Sequence, residues 1–130
     1  MMQILQPPGW EKPKGYVNGI SASGRMVFVA GQVAFDEKNI IHERTFAGQF
    51  RQVLKNTVAV LAEAGGRPEH IVRMTWYITD KQAYLGAIKD VGAAYRELIG
   101  RHYPAMAVVQ VVALIEDLAM VEIETTAVIP

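Results

Sequence analysis

The strongest hydrophobic pattern lies in the last quarter of the chain. Residues 105–114 contain four valines and a single polar side chain, Gln110. This composition favours a strand, because β-branched side chains fit a pleated sheet, and we expect the strand to be buried on both faces. Glu116 and Asp117 interrupt the pattern, and we expect residues 121–128 to return as an antiparallel strand beside the first.

The second of these strands carries two carboxylates on one face. Val121 and Ile123 alternate with Glu122 and Glu124, and successive side chains of a strand point to opposite faces. A carboxylate on an apolar sheet needs a partner or a function, because leaving water is costly for a charge. Glu122 is therefore our candidate for catalysis, whereas we interpret Glu124 as a solvated or salt-bridged residue.

Local patterns predict the remaining elements. Proline and glycine punctuate residues 1–14 and predict an irregular N-terminal arm. Residues 15–20 and 26–30 predict a hairpin, and Gly31 after it indicates a bulge or a close approach by another backbone or a ligand.

Helical spacing begins after Thr45 and again after Asp80, the two expected N-caps, and residues 71–79 between them alternate as a strand. The order predicts one α+β domain over residues 1–130, a mixed sheet of about six strands with two helices packed on one face.

Composition excludes several classes of function. The chain has no cysteine, and its 13 basic and 13 acidic residues are scattered, so we expect neither a thiolate site nor a nucleic-acid partner. His42, His70 and His102 fall in different predicted turns, so we expect no metal site. No apolar run approaches the roughly 18 residues of a membrane span, and we expect a cytoplasmic protein without a membrane partner. The apolar excess suggests a homo-oligomer.

Five segments together resemble the Rid (YjgF) family of enamine and imine deaminases. They are residues 15–19, residues 29–32, the helix that begins after Asp80, residues 103–105 and the sequence VEIETTA at 121–127. The resemblance implies a chorismate-mutase-like fold, a homotrimer closed around a central barrel, and small-molecule clefts between subunits. It also implies hydrolysis of an enamine or imine, such as 2-aminoacrylate, to a 2-keto acid and ammonia without a cofactor.

The resemblance also assigns roles by position. Glu122 matches the glutamate that activates the attacking water, and a backbone carbonyl near Val108 is the second group that holds this water. Tyr16 matches a pocket tyrosine, although a boundary position for this aromatic residue is an equally good interpretation. Gly31 matches the glycine whose backbone meets the substrate.

One position departs from the family pattern. Met106 stands where the active deaminases carry an arginine that forms a two-pronged pair with the substrate carboxylate. Losing such a pair weakens carboxylate capture by on the order of two decades. We therefore expect a cleft shared by neighbouring subunits in which Glu122 faces Met106, with altered specificity and weak 2-aminoacrylate activity. Lys14, Arg25 and Arg101 are candidates for a compensating cation.

Two other functions remain open. In the first, the protein is a non-catalytic ligand-binding or regulatory homotrimer, and Glu122 only completes a buried hydrogen-bond network. The second is the ribonuclease activity sometimes attached to the family, which the scattered basic residues do not favour. We favour the enzyme over both.

Overall fold

Six strands and three α-helices make up the fold in the computed structural model, which describes residues 2–130. The predicted α+β class is confirmed. The elements in chain order are β1 (Met2–Leu5), β2 (Gly19–Ala22), β3 (Arg25–Gln32), α1 (Phe46–Glu63), β4 (Ile71–Ile78), α2 (Lys81–Gly86), α3 (Ile88–Leu98), β5 (Ala105–Gln110) and β6 (Val121–Ile129).

The strands form two sheets. Strands β3, β6, β4 and β5 lie side by side in that order, and β1 pairs with β2 in a separate two-stranded sheet. The larger sheet is mixed, because β4 and β5 run parallel whereas β6 runs antiparallel to both β3 and β4. Strand β6, which carries Glu122, is therefore an inner strand with neighbours on both sides.

The predicted hairpin of the last two strands is wrong. Strand β6 pairs with β3 and β4, and β5 is an edge strand whose ladder runs along β4. The connection over residues 111–120 is long enough to carry the chain past β4. Buried Gln49 holds this connection, since its Nε2 donates to the Leu118 carbonyl (2.8 Å) and its Oε1 accepts from the Met120 amide (2.7 Å). As an edge strand, β5 is not buried on both faces within one chain.

The N-terminal region also differs from the sequence prediction. Met2–Leu5, inside the segment predicted to be irregular, forms β1 and pairs with β2, so the hairpin predicted between residues 15–20 and 26–30 is also wrong. Met1 lies outside the described residues. A strand of four residues carries too little alternation to be detected, and its ladder depends on a partner distant in sequence.

The helix starts agree with the prediction, whereas the second helix is divided. The Thr45 side chain caps α1 by accepting from the Gly48 amide at 3.1 Å. Asp80 caps α2 by accepting from the amides of Gln82 (2.9 Å) and Ala83 (3.2 Å). The predicted helix then breaks at Ala87 into α2 and α3.

All three helices pack on one face of the larger sheet. The Trp76 ring on β4 lies 4.8 Å from Phe50 of α1, 6.4 Å from Tyr84 of α2 and 6.3 Å from Tyr95 of α3, measured between ring centroids. We call this side the covered face. On the opposite side, the open face, Met26 and Phe28 of β3 are 57% and 70% exposed. Among residues 2–130, no helix is long and apolar enough to cross a lipid bilayer.

Candidate functional site

Glu122 lies on the open face, directly against Gly31. Its register partner on β4 is Tyr77, and the residues before and after it, Val121 and Ile123, are buried on the covered face. A Cβ atom built on Gly31 would overlap a Glu122 carboxylate oxygen and lie 2.9 Å from the carboxylate carbon. Gly31 therefore has to be glycine for the half-buried carboxylate to take this position.

A β-bulge creates this close approach. Between Val29 and Gln32 the chain advances three residues along β3, whereas the paired positions on β6, Thr125 and Ile123, are two residues apart. The extra residue displaces the backbone of β3 locally, which is the usual effect of a bulge. The bulge that Gly31 indicated in the sequence is confirmed. The close approach at Gly31 is made by the Glu122 side chain, and not by another backbone or a ligand as the sequence also allowed.

The Glu122 carboxylate is free to accept hydrogen bonds. None of its oxygens takes part in a hydrogen bond or an ion pair with any residue between 2 and 130. Its neighbours on the open face include Tyr77 on β4 and the backbone at Gly31. A half-buried carboxylate with unoccupied lone pairs is suited to hold a water molecule.

A cavity of about 590 Å³ lies on the covered face, between β5 and α3. This volume falls in the range of small-molecule pockets, roughly 300–1,000 Å³. Its walls are mostly aromatic and apolar, with two cationic side chains. The lining residues are Lys14, Gly15, Tyr16, Trp76, Tyr84, Ile88, Val91, Gly92, Tyr95, Arg96, Tyr103, Met106 and Val108.

Backbone pairing holds Tyr16 at this cavity. The Val17 amide donates to the Pro104 carbonyl at 3.1 Å, and Val17 forms a parallel bridge with Ala105 at the start of β5. Gly15 adopts a φ of 79°, in the left-handed region that glycine enters without strain. The turn at Gly15 and the bridge at Val17 thus place Lys14 and Tyr16 beside the edge strand.

Two stacked tyrosines form one wall of the cavity. The rings of Tyr95 and Tyr103 stack at 5.5 Å with an angle of 6° between planes. The Tyr95 hydroxyl donates to the His102 carbonyl (2.6 Å), and the His102 ring Nε2 contacts the Ile71 carbonyl (2.6 Å), which requires that nitrogen to donate. Burial raises the pKa of the Tyr95 hydroxyl, so the phenol stays protonated as a donor.

The cavity contains two positive charges and no acidic side chain among its lining residues. Lys14 was named from the sequence as a compensating cation, and it lines the cavity. Arg25 instead donates to the Ala64 carbonyl at 2.8 Å, and Arg101 is not a lining residue. Arg96 was missed by the sequence analysis, because an arginine on the polar side of a helix resembles any solvated residue.

The predicted site residues form two groups on opposite faces of the sheet. Met106 and Val108 are in register with Met74 and Trp76 on the covered face, and Tyr16 lines the same cavity. Gly31 and Glu122 meet on the open face. One chain alone does not bring Glu122 and Met106 together, so the cleft between subunits in which they face each other stays a prediction.

No metal centre is visible in the part of the chain that the structure describes, since it contains no group of three His, Asp or Glu side chains close enough to hold an ion. The site chemistry available from residues 2–130 is a free carboxylate, phenol hydroxyls and two cations.

The fold and the site define an α+β class of protein with one open sheet face and, under the edge strand, an aromatic cavity of the size that small-molecule pockets have. A solved structure of the same architecture is the Rid-family protein YyfB of Yersinia pestis, described as of unknown function. It is 30% identical, with a TM-score of 0.84 over 98% of both chains.

Sequence comparisons identify the family. The family model described as Endoribonuclease L-PSP matches residues 10–129. A RutC family protein of Synechocystis sp. is 34% identical over 99% of this chain and 98% of its own length. The 2-iminobutanoate/2-iminopropanoate deaminase of Salmonella typhimurium is 33% identical over 87% of this chain and 86% of its own length. The chain therefore belongs to the Endoribonuclease L-PSP, or Rid (YjgF), family, and the resemblance found in the sequence is confirmed.

Proposed function

We propose that this protein is a cofactor-independent hydrolase of imines or enamines that acts as a homotrimer and has weak activity on 2-aminoacrylate. The observation that carries the proposal is the Glu122 carboxylate, held against Gly31 without a hydrogen-bond partner among residues 2–130. A relative that is 33% identical is named as a 2-iminobutanoate/2-iminopropanoate deaminase, which supports the same reaction class here.

The reaction needs a placed water and a route for protons. Glu122 accepts a proton from the water as the water oxygen attacks the carbon of the protonated imine, which gives a neutral carbinolamine. The protonated carboxyl then donates this proton to the carbinolamine nitrogen. As the C–N bond breaks, the carboxylate takes the hydroxyl proton and passes it to the departing ammonia, so the products are a 2-keto compound and ammonium. General acid–base assistance of this kind contributes about 10²–10⁴-fold to a rate.

Assembly is part of the proposal, because Glu122 and the cavity lie on opposite faces of one sheet. A neighbouring copy that packs on the open face would cover Phe28 and Met26, which are 70% and 57% exposed. It would also place its own cavity wall beside Glu122 of the first copy. Each complete site would then take Glu122 and Gly31 from one subunit and Tyr16, Met106 and Val108 from the next.

Sedimentation velocity tests the assembly. The unmodified protein is expected to sediment as a trimer of its 14.4 kDa chain. Phe28→Asp places a charge in the proposed contact and is expected to give folded monomers. Ile40→Asp is the matched control, because Ile40 is also exposed but lies in the turn after β3. A monomeric unmodified protein would contradict the proposal.

Turnover is tested by generating the unstable substrate in place. An amino-acid oxidase produces 2-imino acids from amino acids, and a dehydratase produces 2-aminoacrylate from serine. The protein is expected to accelerate keto-acid release from larger imino acids clearly and from 2-aminoacrylate weakly, since Met106 cannot pair with a carboxylate. No acceleration with any imine, or fast 2-aminoacrylate hydrolysis, would contradict the proposal.

A non-catalytic ligand-binding trimer is the second candidate. The observation that favours it is the cavity lining, whose aromatic and apolar walls contain no carboxylate that could act as a general base. Under this alternative Glu122 completes a hydrogen-bond network with a neighbouring subunit. Glu122→Ala separates the candidates, because a structural role predicts a lower Tm, and a catalytic role predicts a folded, inactive trimer.

RNA cleavage is not proposed for this chain, although the family description names an endoribonuclease. Its 13 basic and 13 acidic residues give a net charge of zero, whereas RNA binding draws on clustered positive charge. The proposed reaction is placed in the cytoplasm, which fractionation of the source cells tests.

A further inference from the structure

The structure contains a cation that the family pattern does not assign. Arg96 on α3 lines the cavity opposite Met106 and Val108 of β5. Its guanidinium makes no hydrogen bond or ion pair within residues 2–130. The neighbouring Glu97 does not neutralise it, because that carboxylate pairs with Arg51 on α1.

Gly92 shapes the position of this guanidinium. A Cβ built on Gly92 would lie 3.2 Å from Arg96 Nη1 and 3.9 Å from its central carbon. Helical side chains lean toward the N-terminus, so residue 96 lies over residue 92 one turn earlier. Glycine inside a helix is less stable than alanine, and here it lets the guanidinium lie close to the helix at the cavity wall.

The rest of the lining defines the ligand class. Lys14 adds a second positive charge, and no acidic residue lines the cavity to cancel either charge. The remaining walls are dominated by Trp76, Tyr84 and the stacked pair of Tyr95 and Tyr103. A volume of about 590 Å³ is larger than a three- or four-carbon acid fills.

We propose that Arg96, assisted by Lys14, binds the ligand carboxylate in place of the arginine that position 106 lacks, and that the cavity accepts carboxylates with a bulky apolar or aromatic body. The proposal rests on the proposed function for the identity of the reacting group, and it moves the carboxylate contact from the strand wall to the helix wall. A small acid held there is expected not to reach the second half of the site, which is a second reason to expect weak 2-aminoacrylate turnover.

Binding of stable probes tests this without any turnover. Calorimetry compares phenylpyruvate with pyruvate, which lacks the ring, and with phenylacetone, which has a methyl group in place of the carboxylate. Phenylpyruvate is expected to bind at least about tenfold more tightly than either. Equal binding of phenylpyruvate and phenylacetone, or no binding of phenylpyruvate to the unmodified protein, overturns the proposal.

Variants then test which cationic side chain binds the carboxylate. Arg96→Met is expected to weaken phenylpyruvate binding about tenfold or more, and Arg96→Lys to weaken it less. Lys14→Met is expected to weaken it several-fold, and Arg101→Met, the control outside the cavity, not at all. Phenylacetone affinity should be the same with and without Arg96. The proposal is overturned if Arg96→Met binds phenylpyruvate like the unmodified protein. It is also overturned if Arg96→Met weakens phenylacetone binding as much as phenylpyruvate binding.

Imine hydrolysis by Glu122 and carboxylate binding by Arg96 can be tested independently. Glu122→Gln is expected to bind phenylpyruvate normally while losing imine hydrolysis. Arg96-dependent phenylpyruvate binding without hydrolysis of any imine would uphold the carboxylate site and contradict the proposed function. Imine hydrolysis together with a phenylpyruvate affinity that does not depend on Arg96 would uphold the proposed function and contradict the carboxylate site.

Discussion

The two faces of strand β6 differ in the contacts that their side chains make. On the covered face Val121 and Ile123 are fully buried in the core beneath the helices. On the open face, Glu122 has no hydrogen-bond partner within residues 2–130, although it is the residue between Val121 and Ile123 in the sequence. Because the side-chain period of a strand is two, one segment supplies the core and a reactive group independently. Changes on one face should therefore leave the other intact.

The largest effect is expected on the open face. Glu122→Gln keeps the size of the side chain and removes its basicity, so imine hydrolysis should fall by about 10²–10⁴-fold. The free energy of unfolding should change little, since the carboxylate has no hydrogen-bond partner among residues 2–130. Steady-state kinetics measure the loss of activity, and thermal melts measure the change in stability. A variant that keeps its activity would contradict the role of Glu122.

The matching change on the covered face should act on stability alone. Ile123→Ala removes a fully buried side chain and should lower the free energy of unfolding by about 2–5 kcal/mol. Urea denaturation at one protein concentration measures it, because assembly makes stability depend on concentration. The control is Glu124→Ala on the open face, whose side chain is exposed in one chain and makes no hydrogen bond or ion pair within residues 2–130, so its loss should be well below that of Ile123→Ala. Equal losses in both variants would argue against the difference between faces.

Gly31→Ala tests the contact at the bulge. The new methyl group would overlap the Glu122 carboxylate, and a displaced base should lower kcat by about tenfold or more. Substrate affinity should change less, because the cavity is on the covered face. Activity equal to that of the unmodified protein would show that Glu122 does not depend on the space at Gly31.

The smallest effect is expected at Gly92, with opposite signs for stability and binding. Gly92→Ala should raise the free energy of unfolding by up to about 1 kcal/mol, because alanine is the better helix former. The added methyl group should press on Arg96, 3.2 Å away, and weaken phenylpyruvate binding a few-fold. A denaturation curve and a binding isotherm on one sample check both signs. Unchanged or tighter binding would contradict the contact.

The sequence predicted the elements whose signal is local. Residues 71–78 alternate for a full strand, and Thr45 and Asp80 cap helices where predicted. Glycine at position 31 also indicated the bulge, because few other reasons place glycine inside a strand.

Strand neighbours could not be predicted in the same way. The alternation of residues 121–129 defines which side chains share a face, but it does not say that β6 inserts between β3 and β4. That arrangement depends on ladder bonds between distant segments and on the buried anchor Gln49. The same limit applies to the cleft between subunits in which Glu122 is predicted to face Met106. One chain places these residues on opposite faces of the sheet, and the contact between copies stays a prediction.

Arg96, the proposed carboxylate-binding residue, could have been found from a local signal in the sequence. A glycine inside a helix with an arginine four residues later is a local signal, since the pair lies on one side of the helix. The sequence does not show that this side borders a cavity, because the cavity depends on the packing of α3 against β5.

Mixing two inactive variants tests most directly the claim that each site is shared by two copies. Glu122→Gln removes the base and keeps the cavity, and Met106→Glu keeps the base and places a repelling charge in the cavity. After unfolding and refolding together in equal amounts, about three quarters of the trimers should contain both chains, each with one intact site in three. The account predicts recovery of about one quarter of the unmodified rate in the mixture, and no recovery when each variant is refolded alone. A mixture as inactive as its two parents, with mixed trimers shown by mass spectrometry, would contradict it.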